Sequence, residues 1–147
     1  MDYSMPENAG LPAVVPTKAG STGSKKAEWV LRIAVAGEFL GHGVFALQGK
    51  ADWVKWFDML LGVGAETATT LLFFIGLMDI AVALIVLVRP MNAVLLWAVA
   101  WGFWTALIRP LVNMPIWDFI ERWANWGAPL ALLLLRGWPR TMREWFK

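Results

Sequence analysis

Hydrophobic residues gather into four runs, each long enough to cross a lipid bilayer. The runs cover residues 29–47, 67–88, 91–108 and 117–135. A helix of about 17–25 apolar residues crosses roughly 30 Å of hydrocarbon. The second run contains one charged residue and the third contains none, whereas the first and fourth contain several. The pattern predicts an all-α protein, a four-helix transmembrane bundle in a lipid bilayer.

A polar segment precedes the first run, and an amphipathic segment follows it. Residues 1–27 are rich in Pro, Gly, Ser and Lys, so we predict a flexible N-terminal segment ahead of a membrane domain at 28–147. No apolar core precedes a cleavage site, so we expect the first run to be retained. In residues 51–62 (ADWVKWFDMLLG), aromatic and leucine residues recur at helical spacing while the charges fall elsewhere. This pattern predicts an interfacial amphipathic helix between the first and second spans.

Composition supports the membrane assignment and narrows the chemistry. Of the 147 residues, 59% are hydrophobic and 16% are charged, whereas a soluble domain is nearly half apolar and about a quarter charged. The chain has no cysteine and one histidine. Thiolate-bound zinc and iron–sulfur clusters need cysteine, and a bis-histidine haem needs two histidines. We therefore expect no haem, iron–sulfur cluster or metal site in this chain.

The basic residues are distributed unevenly over the two sides of the predicted bundle. With four spans, both termini and the turn at 89–91 share one side, which holds nine of the 13 Lys and Arg residues. The other side holds Lys50, Lys55, Arg109 and Arg122. The positive-inside rule then predicts a multi-pass protein of the bacterial inner membrane with both termini in the cytoplasm. Because the basic residues flank spans, we do not expect nucleic-acid binding.

Two ionisable residues lie four positions apart in the first run, within GEFLGHG at 37–43. Glu38 and His42 share one helix face. Gly37 and Gly41 form a G-x-x-x-G step beside that face, where a neighbouring helix could approach closely. We therefore expect this face to point into the bundle. An ionisable residue within a membrane costs roughly 2.5 kcal/mol or more, so by default it is a functional-site hypothesis.

The expected depth of Glu38 matches that of Asp79 in the second run. Glu38 is nine residues from Trp29, and Asp79 is ten residues from Arg89. At 1.5 Å per residue, both carboxyl groups lie roughly 13–15 Å deep. Two carboxyl groups at one level imply that one is protonated, or that a cation or a hydrogen-bond donor lies between them.

Further polar residues occur toward the side opposite the termini. His42 lies about 6 Å nearer that side than Glu38, at the level expected for Asn125. Arg109 ends the third run, and Glu121 precedes Asn125 by one helical turn. These residues predict a polar pocket in the outer half of the bundle. The candidate catalytic residues are His42, Glu38 and Asp79, and the pocket residues are Arg109, Glu121 and Asn125.

Three kinds of site could use these residues. A quinone site needs a His or Arg donor for the quinone carbonyls and a carboxyl group that relays protons, in an aromatic-lined membrane pocket. A metal site formed by Glu38 and His42 has too few ligands. A purely structural network of paired charges stays open beside the quinone site.

Three short motifs carry a resemblance to a family of membrane proteins. In LRIAVAGEFLGHGVFALQGK (31–50), an arginine is followed by small apolar residues, a His-Gly pair and a lysine. WFDMLLGVG (56–64) has an aromatic stretch before a Leu-Gly turn, and GLMDIAVALIVLVRP (76–90) is an Ile/Leu-rich helix that ends in Arg. These motifs resemble those of the DoxX-like family, which usually has glutamate at the position of Asp79.

The resemblance implies a four-helix membrane bundle and a function. DoxD-like subunits, one branch of the group, form thiosulfate:quinone oxidoreductase with a second small subunit. By this resemblance, the residues at the positions of the family's polar residues are Arg32, His42, Lys50 and Asp79. The leading hypothesis is an inner-membrane oxidoreductase subunit that binds quinone and works with other membrane subunits. The alternative is a non-catalytic accessory subunit of a larger membrane complex.

The predicted orientation can be tested with reporter fusions at residue 147 and within residues 50–58. We expect cytoplasmic reporter activity from the C-terminal fusion and periplasmic activity from the fusion at 50–58, because the basic residues are concentrated around the termini. Periplasmic activity from the C-terminal fusion would reverse the orientation and place the pocket at the cytoplasmic side.

Overall fold

The computed structural model describes residues 18–147, with side chains from residue 23 onward, and this part of the chain is helical without strands. The helices are α1 (Lys18–Leu47), α2 (Ala51–Leu61), α3 (Ala65–Val88), α4 (Asn92–Leu111), α5 (Ile116–Ile120), α6 (Trp123–Arg136) and α7 (Met142–Trp145). The all-α prediction is confirmed for the described residues. Of the predicted flexible segment 1–27, residues 1–17 lie outside the described residues, and residues 18–27 belong to α1.

Three helices are long and apolar enough to cross a membrane. They are Gly23–Leu47 within α1, Ala65–Val88 and Asn92–Leu111. They coincide with the first three predicted runs, and the 24 residues of α3 extend about 36 Å. Large apolar side chains on their outer faces are exposed, for example Phe74 (62%) and Val88 (78%). The chain is therefore a multi-pass membrane protein.

The fourth predicted run, 117–135, does not form one continuous helix. It divides into α5 and α6, and the 14 residues of α6 extend about 21 Å, which is shorter than a bilayer core. The break falls at Glu121 and Arg122, whose side chains form an ion pair with an N···O distance of 3.2 Å. Neither α5 nor α6 meets the length needed for a span. The ionisable residues that interrupt the run in the sequence therefore mark the break in the structure.

The helix packing divides the molecule into two ends. Helix α1 runs antiparallel to α3 and also contacts α6, while α4 packs mainly against α6. The turn at 89–91 and the C-terminal segment 137–147 lie at one end, here called the turn end. Helix α2 lies at the other, the α2 end. The hydrophobic core occupies the half of the molecule nearer the turn end, where Val35, Val86, Leu95 and Leu132 are fully buried.

Helices α1 and α3 come closest at a pair of glycines. A Cβ atom placed on Gly43 would lie 2.9 Å from the Gly76 carbonyl oxygen, and one placed on Gly76 would lie 2.8 Å from the Gly43 carbonyl oxygen. Nothing lies within 4 Å of a Cβ on Gly37 or Gly41. The expectation that Gly37 and Gly41 form the contact was therefore wrong. They face away from the neighbouring helix, and the close approach belongs to the next glycine along the chain.

The C-terminus of α3 is capped by a side chain from α1. Arg32 donates from Nε to the carbonyl oxygen of Val86 (3.2 Å) and from Nη2 to those of Leu87 and Val88 (3.0 Å for Val88). The last carbonyls of a helix have no partner within the helix, so this cap satisfies groups that apolar surroundings would leave unpaired. The Arg32 guanidinium also lies 4.1 Å from the ring centre of Trp29.

The glycine contact predicts opposite effects for two alanine substitutions. Gly43→Ala places a methyl group against Ile80 and the Gly76 backbone, at 2.8–2.9 Å, so we expect a loss of about 1–3 kcal/mol of stability. Gly41→Ala, the matched control, meets open space and should gain up to about 1 kcal/mol because alanine favours a helix. Unfolding of both variants in detergent micelles measures the difference. Equal stabilities would contradict the close α1–α3 approach.

Candidate functional site

A cavity of about 330 Å³ lies between α1, α2, α3 and α4 at the α2 end. Four ionisable residues line it: Glu38, His42, Asp79 and Arg109. The rest of the lining is mostly aromatic and aliphatic. The volume falls at the lower end of the range for small-molecule sites, roughly 300–1,000 Å³, and an apolar wall with a few converging polar groups is typical of such sites.

Helix α2 closes one side of this cavity with its aromatic face. Trp53, Trp56 and Phe57 line the cavity, whereas the side chains of Asp52 and Lys55 are 66% and 74% exposed. This is the division of faces that the helical spacing predicts. The helix begins after Lys50 and ends at Gly62, whose φ of 65° gives the left-handed conformation that glycine adopts at a helix C-terminus.

His42 is held in place by its own helix and by α2. Its Nδ1 atom lies 3.0 Å from the backbone carbonyl oxygen of Glu38. Its ring stacks on Trp53, with 5.7 Å between ring centres and 10° between planes. The Glu38–His42 contact therefore runs through the backbone of Glu38. The bond assigns the proton to Nδ1 and leaves Nε2 as an acceptor in the neutral ring.

Asp79 is buried on α3, with 3% of its surface exposed. Its Oδ1 atom has no hydrogen-bond partner among the described residues. The Trp101 side chain on α4 lies close enough to interact with the carboxyl group, and both residues line the cavity. A buried polar atom without a partner costs free energy, and this oxygen keeps its capacity to accept a hydrogen bond at the cavity wall.

Arg109 approaches the cavity from the end of α4 and is 5% exposed. Its Nη1 atom donates to the backbone carbonyl oxygen of Thr105 at 2.6 Å. The guanidinium lies 5.4 Å from the ring centre of Trp56, within the range of a cation–π interaction. A guanidinium carries five N–H groups, so most of them stay available for other acceptors.

The other four predicted site residues do not line the cavity. Arg32 caps α3 at the turn end. Lys50 lies beside the cavity, with its Nζ 4.9 Å from the ring centre of Phe45. Glu121 is exposed and pairs with Arg122. Asn125 packs its backbone against Gly102, where a Cβ would lie 2.6 Å from the Asn125 carbonyl oxygen.

Two features of the site were missed from the sequence. Helix α4 contributes a face of Trp101, Trp104, Thr105 and Ile108, and this spacing of three or four residues, continued to Arg109, could have identified it. The second feature is Arg122. It lies close enough to Glu38 for their charges to interact, and its buried Nε atom has no hydrogen-bond partner among the described residues.

Neither metal-ligand geometry nor similarity to known proteins gives further evidence about this site. Within residues 18–147, no group of three or more His, Asp or Glu residues is placed to hold a metal ion. Comparison of the chain with protein-family models, curated proteins and solved structures found no match. The resemblance to DoxX-like proteins therefore stays a prediction from short motifs.

Proposed function

We propose that this chain is a quinone-binding subunit of a membrane oxidoreductase. The proposal rests chiefly on one observation, an aromatic-lined cavity among membrane-spanning helices that brings His42, Asp79 and Arg109 to its wall. A quinone has an apolar ring and two carbonyl acceptors, so it needs an apolar site with one or two donors. The cavity has both, and the short DoxX-like motifs are consistent with it.

Each lining group has a role in this proposal. Arg109, and His42 when its Nε2 atom is protonated, donate hydrogen bonds to the quinone carbonyls. The indole rings of Trp56 and Trp101 contact the faces of the quinone ring. Asp79 and Glu38 carry protons to and from the quinone oxygens. Conversion of quinone to quinol takes up two electrons and two protons, and the electrons come from a partner subunit that contains a redox centre.

The proposed arrangement in the membrane follows from the same charges and helices. Helices α5 and α6 together form the fourth element of a four-helix bundle, since α6 packs against α1 and α4. Helix α2 lies at the outer interface of the bacterial inner membrane, with Lys55 and Asp52 toward water. The turn end and both termini face the cytoplasm. The cavity then opens on the outer side, near the depth at which a lipid-soluble quinone exchanges with the membrane.

Substitutions of two cavity residues test the proposal. His42→Ala removes an imidazole that hydrogen-bonds to the quinone oxygens and the stacking partner of Trp53, so we expect quinone to bind about tenfold more weakly, as for the loss of one good hydrogen bond. Asp79→Asn keeps the shape of the side chain but cannot release a proton, so quinone binding should stay within about threefold while quinone turnover in the purified complex falls by about 10²-fold or more. Quinone affinity is measured by quenching of tryptophan fluorescence in nanodiscs.

The control and the alternative give different results in the same experiment. Lys55→Gln changes an exposed charge on α2 outside the cavity and should alter neither affinity nor turnover. If the chain is a non-catalytic accessory subunit, His42→Ala and Asp79→Asn lower the melting temperature or the yield of the complex, while quinone does not bind the native protein. That outcome would contradict the quinone proposal.

A further inference from the structure

A second concave surface lies at the turn end, away from the cavity at the α2 end. It is an open groove of about 510 Å³ between α4 and the C-terminal segment. Helix α4 contributes Leu96, Trp97 and Ala100, and the C-terminal segment contributes Met142, Trp145 and Phe146. The groove is almost entirely apolar, and Met142 is 75% exposed.

Specific contacts hold the C-terminal segment against α4 and so shape this groove. The side-chain amide of Asn92 donates to the carbonyl oxygen of Glu144 at 2.9 Å. Arg89 donates from Nη2 to the carbonyl oxygen of Phe146 at 3.4 Å. Trp138 packs edge-on against Trp145, with ring centres 5.9 Å apart. The groove is thus formed by defined hydrogen bonds and aromatic packing.

Basic residues near the groove outnumber the acidic ones. Those close to it in the chain or in space are Arg89, Arg140, Arg143 and Lys147, and all four are exposed. None of them forms an ion pair within the described residues. The one acidic residue of 137–147 is Glu144, and the backbone N–H of Arg140, 2.7 Å from its Oε2, lowers the pKa of Glu144. A net positive charge therefore lies beside an apolar groove.

We propose that this groove binds one anionic phospholipid from the bilayer. An acyl chain lies along Leu96, Trp97 and Ala100, and the phosphate lies beside Arg143, Lys147 and Arg89. The apolar groove excludes a free phosphate as the main ligand, since a free phosphate has no acyl chain to occupy it. The surplus of positive charge favours an anionic over a zwitterionic headgroup, and arginine is well suited to phosphate oxygens. Trp145 and Trp138 lie at the boundary, as interfacial tryptophans do.

The test compares two lipids and two pairs of charge substitutions by native mass spectrometry of the detergent-solubilised protein. The lipids are phosphatidylglycerol and phosphatidylcholine with the same acyl chains. Arg143→Gln/Lys147→Gln should weaken phosphatidylglycerol binding about 25-fold, at roughly fivefold per basic residue, and weaken phosphatidylcholine binding much less, because its headgroup has no net charge. Lys25→Gln/Lys26→Gln, which removes two charges from α1, should leave both unchanged.

A third variant fills the groove without changing the charge. Ala100 is exposed, so Ala100→Phe does not disturb the core. It should weaken phosphatidylglycerol binding by roughly tenfold, as expected when about two methylene groups lose their contact. Circular dichroism and the melting temperature confirm that each variant is folded.

Three results would overturn the proposal. Equal losses in the two charge pairs would mean general attraction to the basic end without a site in the groove. Equal affinity of the native protein for the two lipids would remove the role of the positive charge. A dimer that Ala100→Phe disrupts, with no effect of phosphatidylglycerol, would mean that a second copy of the chain covers the groove.

Discussion

The close crossing of α1 and α3 at Gly43 and Gly76 is the contact on which the rest of the structure depends. Because the two backbones approach so closely there, the register of the antiparallel pair has little freedom. That register carries Arg32 to the last carbonyls of α3 and brings Glu38 and Asp79 to the wall of one cavity. The cap thus lies at one end of this helix pair, and the crossing lies at the level of the cavity. A shift of one helical turn, about 5.4 Å, would separate all three.

The first three spans could be predicted because they depend only on run length and hydrophobicity. The side that each helix turns toward its neighbour could not be predicted in the same way. Gly37 and Gly41 matched a known packing pattern, yet Gly43 makes the contact, since the choice among three nearby glycines depends on how α3 lies against α1. The fourth run was similarly ambiguous. Hydrophobicity favoured one span, and the adjacent charges of Glu121 and Arg122 instead accompany a break.

The candidate site was predictable where two helices bring isolated ionisable residues close together, with Glu38 and Asp79 at one level and His42 one turn from Glu38. It was less predictable where a side chain is long. Arg32 lies in the same helix as His42, but its guanidinium reaches the α3 terminus, where unpaired carbonyls bind it more strongly than an apolar pocket could. The aromatic wall of α4 was hidden for a different reason. Its tryptophans stand in a helix that is apolar on every side, so composition alone does not distinguish the face toward the cavity from the face toward lipid.

The two ends of the molecule differ in the charges that accompany their apolar surfaces. At the α2 end, Arg109 and Arg122 lie among carboxyl groups, and acidic and basic side chains line or adjoin one cavity. At the turn end, the exposed basic residues around 137–147 lie beside an open groove, and Glu144 is already bonded to the backbone. Acidic and basic groups in a cavity between helices suit a neutral ligand that exchanges hydrogen bonds and protons. Positive charge beside an open apolar groove suits an amphipathic anion. The distribution of charge along the helices is therefore the feature on which the two proposals differ, although both concavities are lined by tryptophan.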